Sequence, residues 1–350
     1  MKTTKDGRDA AMAAIKKKYG NTLTQANEFV EPKIDVIPTG TIQLDIKTGV
    51  GGYARGRIIE IYGPNASGKT SLTLHAIAEA QKMGHRCAFI DAEKALDLDY
   101  AEAIGVDLSM MDYTRPANGE EALDTLEILS DSNAYALVVL DSVAALVPSK
   151  EVEGDMGDSH VGLQARLMGQ AMRKLSGKFA ESGTTAIFLN QIREKVGVMF
   201  GSPETTSGGN ALAFYASLRL RVSPAGGKAA DLNDPISGEV IGGRKRLQIV
   251  KNKLAGTAKH QIEFNMYSNN EYGCGIDRKR EIFDMALDAG YIDIEGKTYL
   301  FDGEKLGVGK ENSYAAISDN VLNGLQVELI KHAKIKDLAK ERMLKALENV

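Results

Sequence analysis

The chain has 350 residues, of which 43% are hydrophobic and 26% charged, an ordinary globular composition with room for two or three domains. A formal net charge of −4 excludes a uniformly basic, histone-like binder, so any nucleic-acid surface has to be a local patch. Cys87 and Cys274 form neither a disulfide framework nor a metal-ligand spacing, the start is polar, and no apolar run approaches ~20 residues; the expectation is a cytoplasmic protein with no membrane segment.

Residues 1–33 read as a prefix, with a helix over Asp9–Tyr19 followed by a polar connector ending at Pro32. Ala11, Ala14, Ile15 and Lys18 share one side of that helix, giving a weakly apolar face. So short a helix does not hold itself in water and has to dock on its own core or on a neighbouring subunit.

Residues 34–268 alternate strand-like and helical segments. The strand-like runs are Arg57–Tyr62, Arg86–Ala92, Ala136–Asp141, Thr184–Gln191, Ala216–Val222, Arg246–Asn252 and His260–Met266. Helices are expected over Ser71–Met83, Gly119–Ser130 and Leu163–Glu181. This alternation predicts an α/β core with a mainly parallel sheet covered on both faces. The later runs, joined by Gly/Pro/Asp-rich turns, are expected to be antiparallel and to extend one edge. Ser268-Asn269-Asn270-Glu271 reads as a linker into a small α+β region, 269–350, with a helix over Arg278–Ala289 and short strands around Gly290–Phe301. The last twenty residues look helical and carry Lys331, Lys334, Lys336, Lys340, Arg342 and Lys345 against Asp337, Glu341 and Glu348. A solvated helix face is the simpler reading of that charge.

Chemistry enters at Gly63-Pro64-Asn65-Ala66-Ser67-Gly68-Lys69-Thr70, a phosphate loop of the form G-x-x-x-x-G-K-[ST] with Ser71 following. Glycines let consecutive N–H groups turn toward an anion, and the next helix adds its positive end. Lys69 is a point charge for β- and γ-phosphates, and the Thr70 hydroxyl is an oxygen ligand suited to Mg²⁺. Between a strand and a helix, this octapeptide implies a nucleoside triphosphate with magnesium. Asp141, ending an apolar strand, is the expected second magnesium residue, usually through water. Asp91 and Glu93 end another strand; Glu93 is the expected general base, because Asp91 comes earlier and is better placed to hold the strand end. Gln191 ends a third strand, where an amide can bond a γ-phosphate or its attacking water. Two glycine-rich segments, 153–162 and 192–209, leave these sites and are long enough to be functional loops. Arg166, Arg173, Arg193 and Lys195 lie on or beside them and suit phosphate backbones. Aromatics are scarce there, with Phe200 alone in either loop, which argues against a base-stacking platform.

Taken together these residues closely resemble the bacterial RecA recombinase family, including its bacteriophage forms, from the prefix to about residue 325. The most specific stretches are Gly56–Pro64 with the phosphate loop, Ala88–Glu93, Leu140–Leu146 and Gly157–His160. Gln170–Leu175, Asn190–Arg193, the run from Gly197 to Leu212, and Val250-Lys251-Asn252-Lys253 extend the match. The resemblance implies a RecA-like core with a short N-terminal oligomerisation helix and a small C-terminal domain. It implies an ATP- and Mg²⁺-dependent, DNA-stimulated ATPase that forms a helical homo-oligomer on single-stranded DNA and exchanges strands with double-stranded DNA. Tyr100 would stack on adenine with Asp97 nearby. Lys251 and Lys253 would reach the γ-phosphate held by the adjoining protomer, and Phe214 would pack across that junction. Arg166, Arg173, Arg193, Gly208, Gly209 and Asn210 would hold DNA phosphates, while Val161 and Val196 would wedge between base triplets. Lys297, Lys305 and Lys310 would meet incoming duplex. The chain departs from the family pattern at Ala213, where a lysine is common, at Glu194 in the DNA loop, at Thr298 in place of a tryptophan, and in its basic end. Two rivals remain: a RecA-like hexameric helicase, which the prefix helix and second loop disfavour, and a non-catalytic switch, which Glu93 disfavours.

Overall fold

The computed structural model describes residues 5–20, 26, 28, 34–155, 162–194, 204–226, 230–255 and 260–348. It comprises two compact units, 1–35 and 36–350. In the first, helix α1 runs Lys5–Tyr19, four residues earlier than expected, with Lys16, Lys17 and Lys18 in its last turn.

The second unit opens with the hairpin-like pair β1 (Val36–Ile37) and β2 (Tyr53–Ala54) around helix α2 (Ile42–Thr48). There follow β3 (Ile58–Gly63), α3 (Lys69–Lys82), β4 (Cys87–Asp91), α4 (Leu98–Ile104), β5 (Met111–Thr114), α5 (Gly119–Asp131) and β6 (Leu137–Asp141). Next come α6 (Ser149–Glu153), α7 (Leu163–Ser182), β7 (Thr185–Glu194), β8 (Glu204–Thr206), α8 (Ala211–Tyr215), β9 (Leu218–Pro224) and β10 (Asp231–Asn233). Strands β11 (Val240–Asn252), β12 (Gln261–Asn270) and β13 (Gly273–Ile276) complete the large sheet. Last come α9 (Arg278–Asp288), β14 (Asp293–Glu295), β15 (Thr298–Phe301), β16 (Glu304–Val308), α10 (Lys310–Ala316), α11 (Asp319–His332) and α12 (Asp337–Glu348).

The large sheet has the order β13-β12-β11-β9-β3-β7-β6-β4-β5. From β9 to β5 the neighbours are parallel; β11, β12 and β13 are added antiparallel. The strand β9 was expected among the antiparallel runs, yet it lies parallel to β3, in register Ile59↔Leu218 to Tyr62↔Arg221. The short helix α8 is the crossover that returns the chain in the same direction. Alternate residues of the central strands feed two cores. Ile59, Ile61 and Phe89 join Leu72, Leu74 and Ile77 of α3 on one face; Ile58, Ile90 and Phe188 join Leu126 of α5 and Met172 and Phe179 of α7 on the other. Cys87 is fully buried on β4 and free.

The stretch 268–271 is not a linker. Strand β12 runs on to Asn270 and pairs with β13 through Tyr267↔Gly275, so the polar residues close a hairpin of the large sheet. Gly273, at φ 136°, permits the turn, and Tyr267 stacks on Tyr272 at 6.5 Å across it. Beyond Asp277 a third core gathers Ile282, Phe283, Ala286 and Leu325 with Ile42 of α2. Here the strands β14, β15 and β16 form a separate antiparallel sheet, and Thr298 begins β15 at the position of the expected tryptophan.

Candidate functional site

Parallel strands place their carboxyl ends on one edge, and β3, β4, β6 and β7 deliver the candidate residues there together. Between β3 and α3 the loop 63–68 is tightly constrained. A Cβ on Gly63 would lie 2.0 Å from the Val222 carbonyl oxygen, and Gly68 adopts φ 93° with Met266 Sδ 2.8 Å from where its Cβ would be. Glycine is therefore required at both positions. Lys69 Nζ donates to the carbonyls of Gly63 (3.3 Å) and Pro64 (2.8 Å), which keeps the ammonium at the loop, and burial lowers its pKa. Ser67 Oγ is buried with no hydrogen-bond partner among the described residues, the kind of orphaned polar atom that a phosphate oxygen satisfies.

Thr70 Oγ1 donates to Asp141 Oδ2 at 2.8 Å, so a hydroxyl and a carboxylate stand side by side, hard oxygen donors of the type magnesium takes. Burial pushes the Asp141 carboxyl up to about 6, with the charges of Glu93 and Asp91 acting in the same direction. A divalent cation would relieve that concentration of negative charge, so the residues fit Mg²⁺ completed by water and phosphate oxygens. Among the described residues no group of three or more His, Cys, Asp or Glu forms a protein-only metal cage.

The two acids of β4 have separate surroundings. Asp91 is buried and accepts from the Leu96 N–H (3.1 Å) and the Tyr113 hydroxyl (2.8 Å), with Arg115 Nε at 3.9 Å. Glu93 stands at the open edge, where Gln191 Nε2 donates to its Oε1 at 3.1 Å and the Ser142 hydroxyl donates to the same oxygen. Its turn is tied down by the N–H groups of Ala92 and Glu93, both donating to the Asp141 carbonyl (2.7 and 3.1 Å). Ser142 is a contact of Glu93 that the sequence reading did not single out; it follows Asp141 directly, but nothing in its chemistry distinguishes it from any serine after a strand.

Gln191 lies within β7, and from the next residue on the strand pairs with β8: Ile192↔Thr206, Arg193↔Thr205 and Glu194↔Glu204. The glycine-rich segment 192–209 is thus rooted in a hairpin at the site itself. Arg221 of β9 clamps that root through two bonds to Glu204 (2.8 and 2.6 Å). Gly208 is buried, at φ 79°, with its N–H donating to Gln164 Oε1 (3.2 Å) and Val143 packed against the position of a Cβ. Gln164 in turn donates to the carbonyls of Val143 and Leu146. Gly209 approaches Ala165, and Asn210 is exposed at the start of α8. Arg166 and Arg173, seven residues apart on α7, share one exposed side, and Arg193 is exposed on β7. Val161, Lys195, Val196 and Phe200 lie outside the described residues.

On the other flank of the loop, Tyr100 OH bonds Ser71 Oγ (2.9 Å), and Asp97 caps α4 by accepting from the Tyr100 N–H (3.0 Å). A cavity of about 420 Å³ runs from residues 66–71 to Tyr100, with strands β11 and β12 as its far wall. Lys251 and Lys253 are elsewhere. Lys251 Nζ donates to the carbonyls of Ala213 (2.7 Å) and Phe214 (2.8 Å), and Lys253 Nζ to Phe214 (3.1 Å), at the end of α8. Burial, then the charge of Lys253, pushes Lys251 down to about 8. Both ammoniums lie near the ring of Phe214, which is 72% exposed. In the C-terminal region Lys297 and Lys305 are exposed, while Lys310 pairs with Asp284 at 2.8 Å.

A family model described as "RecA N-terminal domain" matches residues 7–276. Three similar proteins bear the name Protein RecA. That of Kineococcus radiotolerans is 50% identical over 321 residues, covering 91% of this chain and 89% of its own. That of Amycolatopsis mediterranei is 51% identical over 313 residues, covering 89% and 87%, and that of Streptomyces ambofaciens is 50% identical over 314 residues, covering 89% and 81%.

Proposed function

The chain belongs to the RecA family, and we propose from that premise that it is an ATP-dependent recombinase that forms a helical filament on single-stranded DNA and exchanges strands with homologous duplex. The observation that carries the proposal is the hydrogen bond between Gln191 and Glu93. It joins the hydrolytic base to a strand that, from the next residue on, becomes the root of a DNA-facing loop. The two sites share one rigid element, so a change at either is felt at the other.

In this reading Lys69 and residues 63–68 hold the polyphosphate, and Thr70 and Asp141 hold magnesium. Magnesium, when bound, screens phosphate charge and orients the γ-phosphoryl group. Glu93 accepts at its carboxylate the proton of the attacking water, and Ser142 and Gln191 hold that carboxylate in place. Gln191, released from or returned to Glu93, reports the reaction to the loop. Lys251 and Lys253 act on the adjoining protomer's nucleotide by neutralising developing charge. They are ill placed for their own: Lys245 of the same strand touches the phosphate loop at Ala66, and Lys251 lies six residues along, ~20 Å away. The exposed Arg166, Arg173, Arg193 and Asn210, with Gly208, Gly209, Val161 and Val196, grip the polynucleotide, and base pairing supplies the sequence test.

The helicase rival has no support from the relatives above, all of which bear the name Protein RecA. Among the described residues no helix is long and apolar enough to cross a membrane. The deciding experiment is strand exchange between circular single-stranded and linear duplex DNA. Joint molecules should form with ATP and not without it; ATP turnover without exchange would contradict the proposal.

A further inference from the structure

The wall of the nucleotide cavity carries a second lysine that none of the motifs contains. The segment Arg244-Lys245-Arg246 of β11 is a basic run whose side chains alternate between faces. Arg244 and Arg246 both pair with Glu263 on β12, at 3.1 and 2.9 Å. Lys245 takes the opposite face. Its Nζ donates to the Ala66 carbonyl in the phosphate loop at 3.3 Å, and its Cε lies 3.8 Å from where a Gly68 Cβ would be. It lines the same cavity as Lys69, Thr70, Ser71, Tyr100 and Tyr267.

We propose that Lys245 is a second phosphate-binding lysine, which reaches across from β11 to the polyphosphate held by residues 63–70 and closes the cavity on its open side. An ammonium has three N–H donors, and the bond to Ala66 uses one. That bond is long, so exchange for a charged phosphate oxygen is favourable. Lys245 is half-buried, with burial lowering its pKa and Asp231 raising it, while its bond to Ala66 is open to solvent, where a phosphate can reach the ammonium. The strand pairing fixes the lysine's position: Lys245 stands opposite Phe264 on β12 and Pro224 on β9, so it is held by the sheet and not by a loop. The consequence is a site in which two lysines, from opposite walls, select nucleotides by phosphate charge.

The inference rests on the nucleotide reading of the cavity, and titration calorimetry of the full-length chain with adenosine, ADP and ATP tests the two separately. Lys245→Met keeps the aliphatic stem and removes the charge; Lys245→Arg restores it. In Lys245→Met, ADP and ATP should bind about ten-fold more weakly, with adenosine unchanged and with a shallower dependence on salt. Lys245→Arg should bind ADP within about three-fold of the parent. Unchanged ADP affinity in Lys245→Met, or an equal loss for adenosine and ADP, would overturn the proposal. An equal loss in the Arg and Met variants would overturn it as well, because charge would not be the cause. A parent chain that binds none of the three ligands would sink the nucleotide reading and this proposal with it. A Lys69→Ala variant that binds ATP normally beside a weakened Lys245→Met would overturn the role of Lys69 alone.

Discussion

Two carboxylates two residues apart, Asp91 and Glu93, have fates set by their neighbours. Asp91 is enclosed by a backbone N–H, a tyrosine hydroxyl and an arginine, all of which hold its charge in one place. Glu93 faces the open edge with an amide and a hydroxyl on one oxygen, leaving the other for a water. On this account Glu93→Gln retains ATP binding while DNA-stimulated hydrolysis falls by about 10²–10⁴-fold, the range of a general base. Phosphate-release measurements check it; an unchanged rate would remove Glu93 from that role. Gly63 shows how far a single residue is constrained, since even a methyl group would collide with the Val222 carbonyl on the neighbouring strand.

At the scale of elements, the clearest sequence signals came from strands buried on both faces. Cys87–Asp91 and Leu137–Asp141 are continuous apolar runs ending in a functional group, Ile58–Gly63 is one broken only by the buried Glu60, and all three fold within about a residue of where the pattern put them. Short or edge elements carried too little pattern. Met111–Thr114 buries only its first residue fully, and Glu204–Thr206 is three polar residues inside a glycine-rich run. Lys245 was invisible for a related reason: in a run of three basic residues, only the pairing with β12 reveals which one turns toward the phosphate loop. The join between α9 and α2 was equally hidden. Glu281 of α9, buried, accepts from the Thr41 hydroxyl and from the N–H groups of Ile42 (3.3 Å) and Gln43 (3.0 Å), so a residue 240 positions away caps α2. Burial outweighs these bonds and raises the carboxyl from 4.5 to about 7. A raised carboxyl stabilises the fold fully below its unfolded pKa and loses that contribution as pH rises through the folded value. Asp45, buried nearby and raised to about 8, acts in the same direction. Chemical unfolding should therefore show stability falling between about pH 5 and pH 8, and Glu281→Gln should make that fall shallower, by up to ~3 kcal/mol. An identical slope in the variant would contradict the assignment.

For the whole molecule, the nucleotide cavity and the two lysines bonded to the end of α8, Lys251 and Lys253, occupy different parts of one chain, with the exposed Phe214 beside the lysines. A surface that meets a different surface of the next copy makes a heterologous contact, which propagates as an open helix unless its rotation closes. Such a junction would gather the phosphates of one protomer under the cations of the next, and the loops leaving β7 would respond wherever DNA is bound. Subunit mixing tests this most directly. Lys69→Ala lacks a working phosphate loop but keeps Lys251 and Lys253; the double variant Lys251→Ala/Lys253→Ala keeps the loop but lacks those two lysines. Each alone should have little DNA-stimulated ATPase activity, while an equal mixture should recover up to about a quarter of the parent rate, the share of junctions with both halves intact. A mixture as inactive as its components would contradict a nucleotide site shared between protomers.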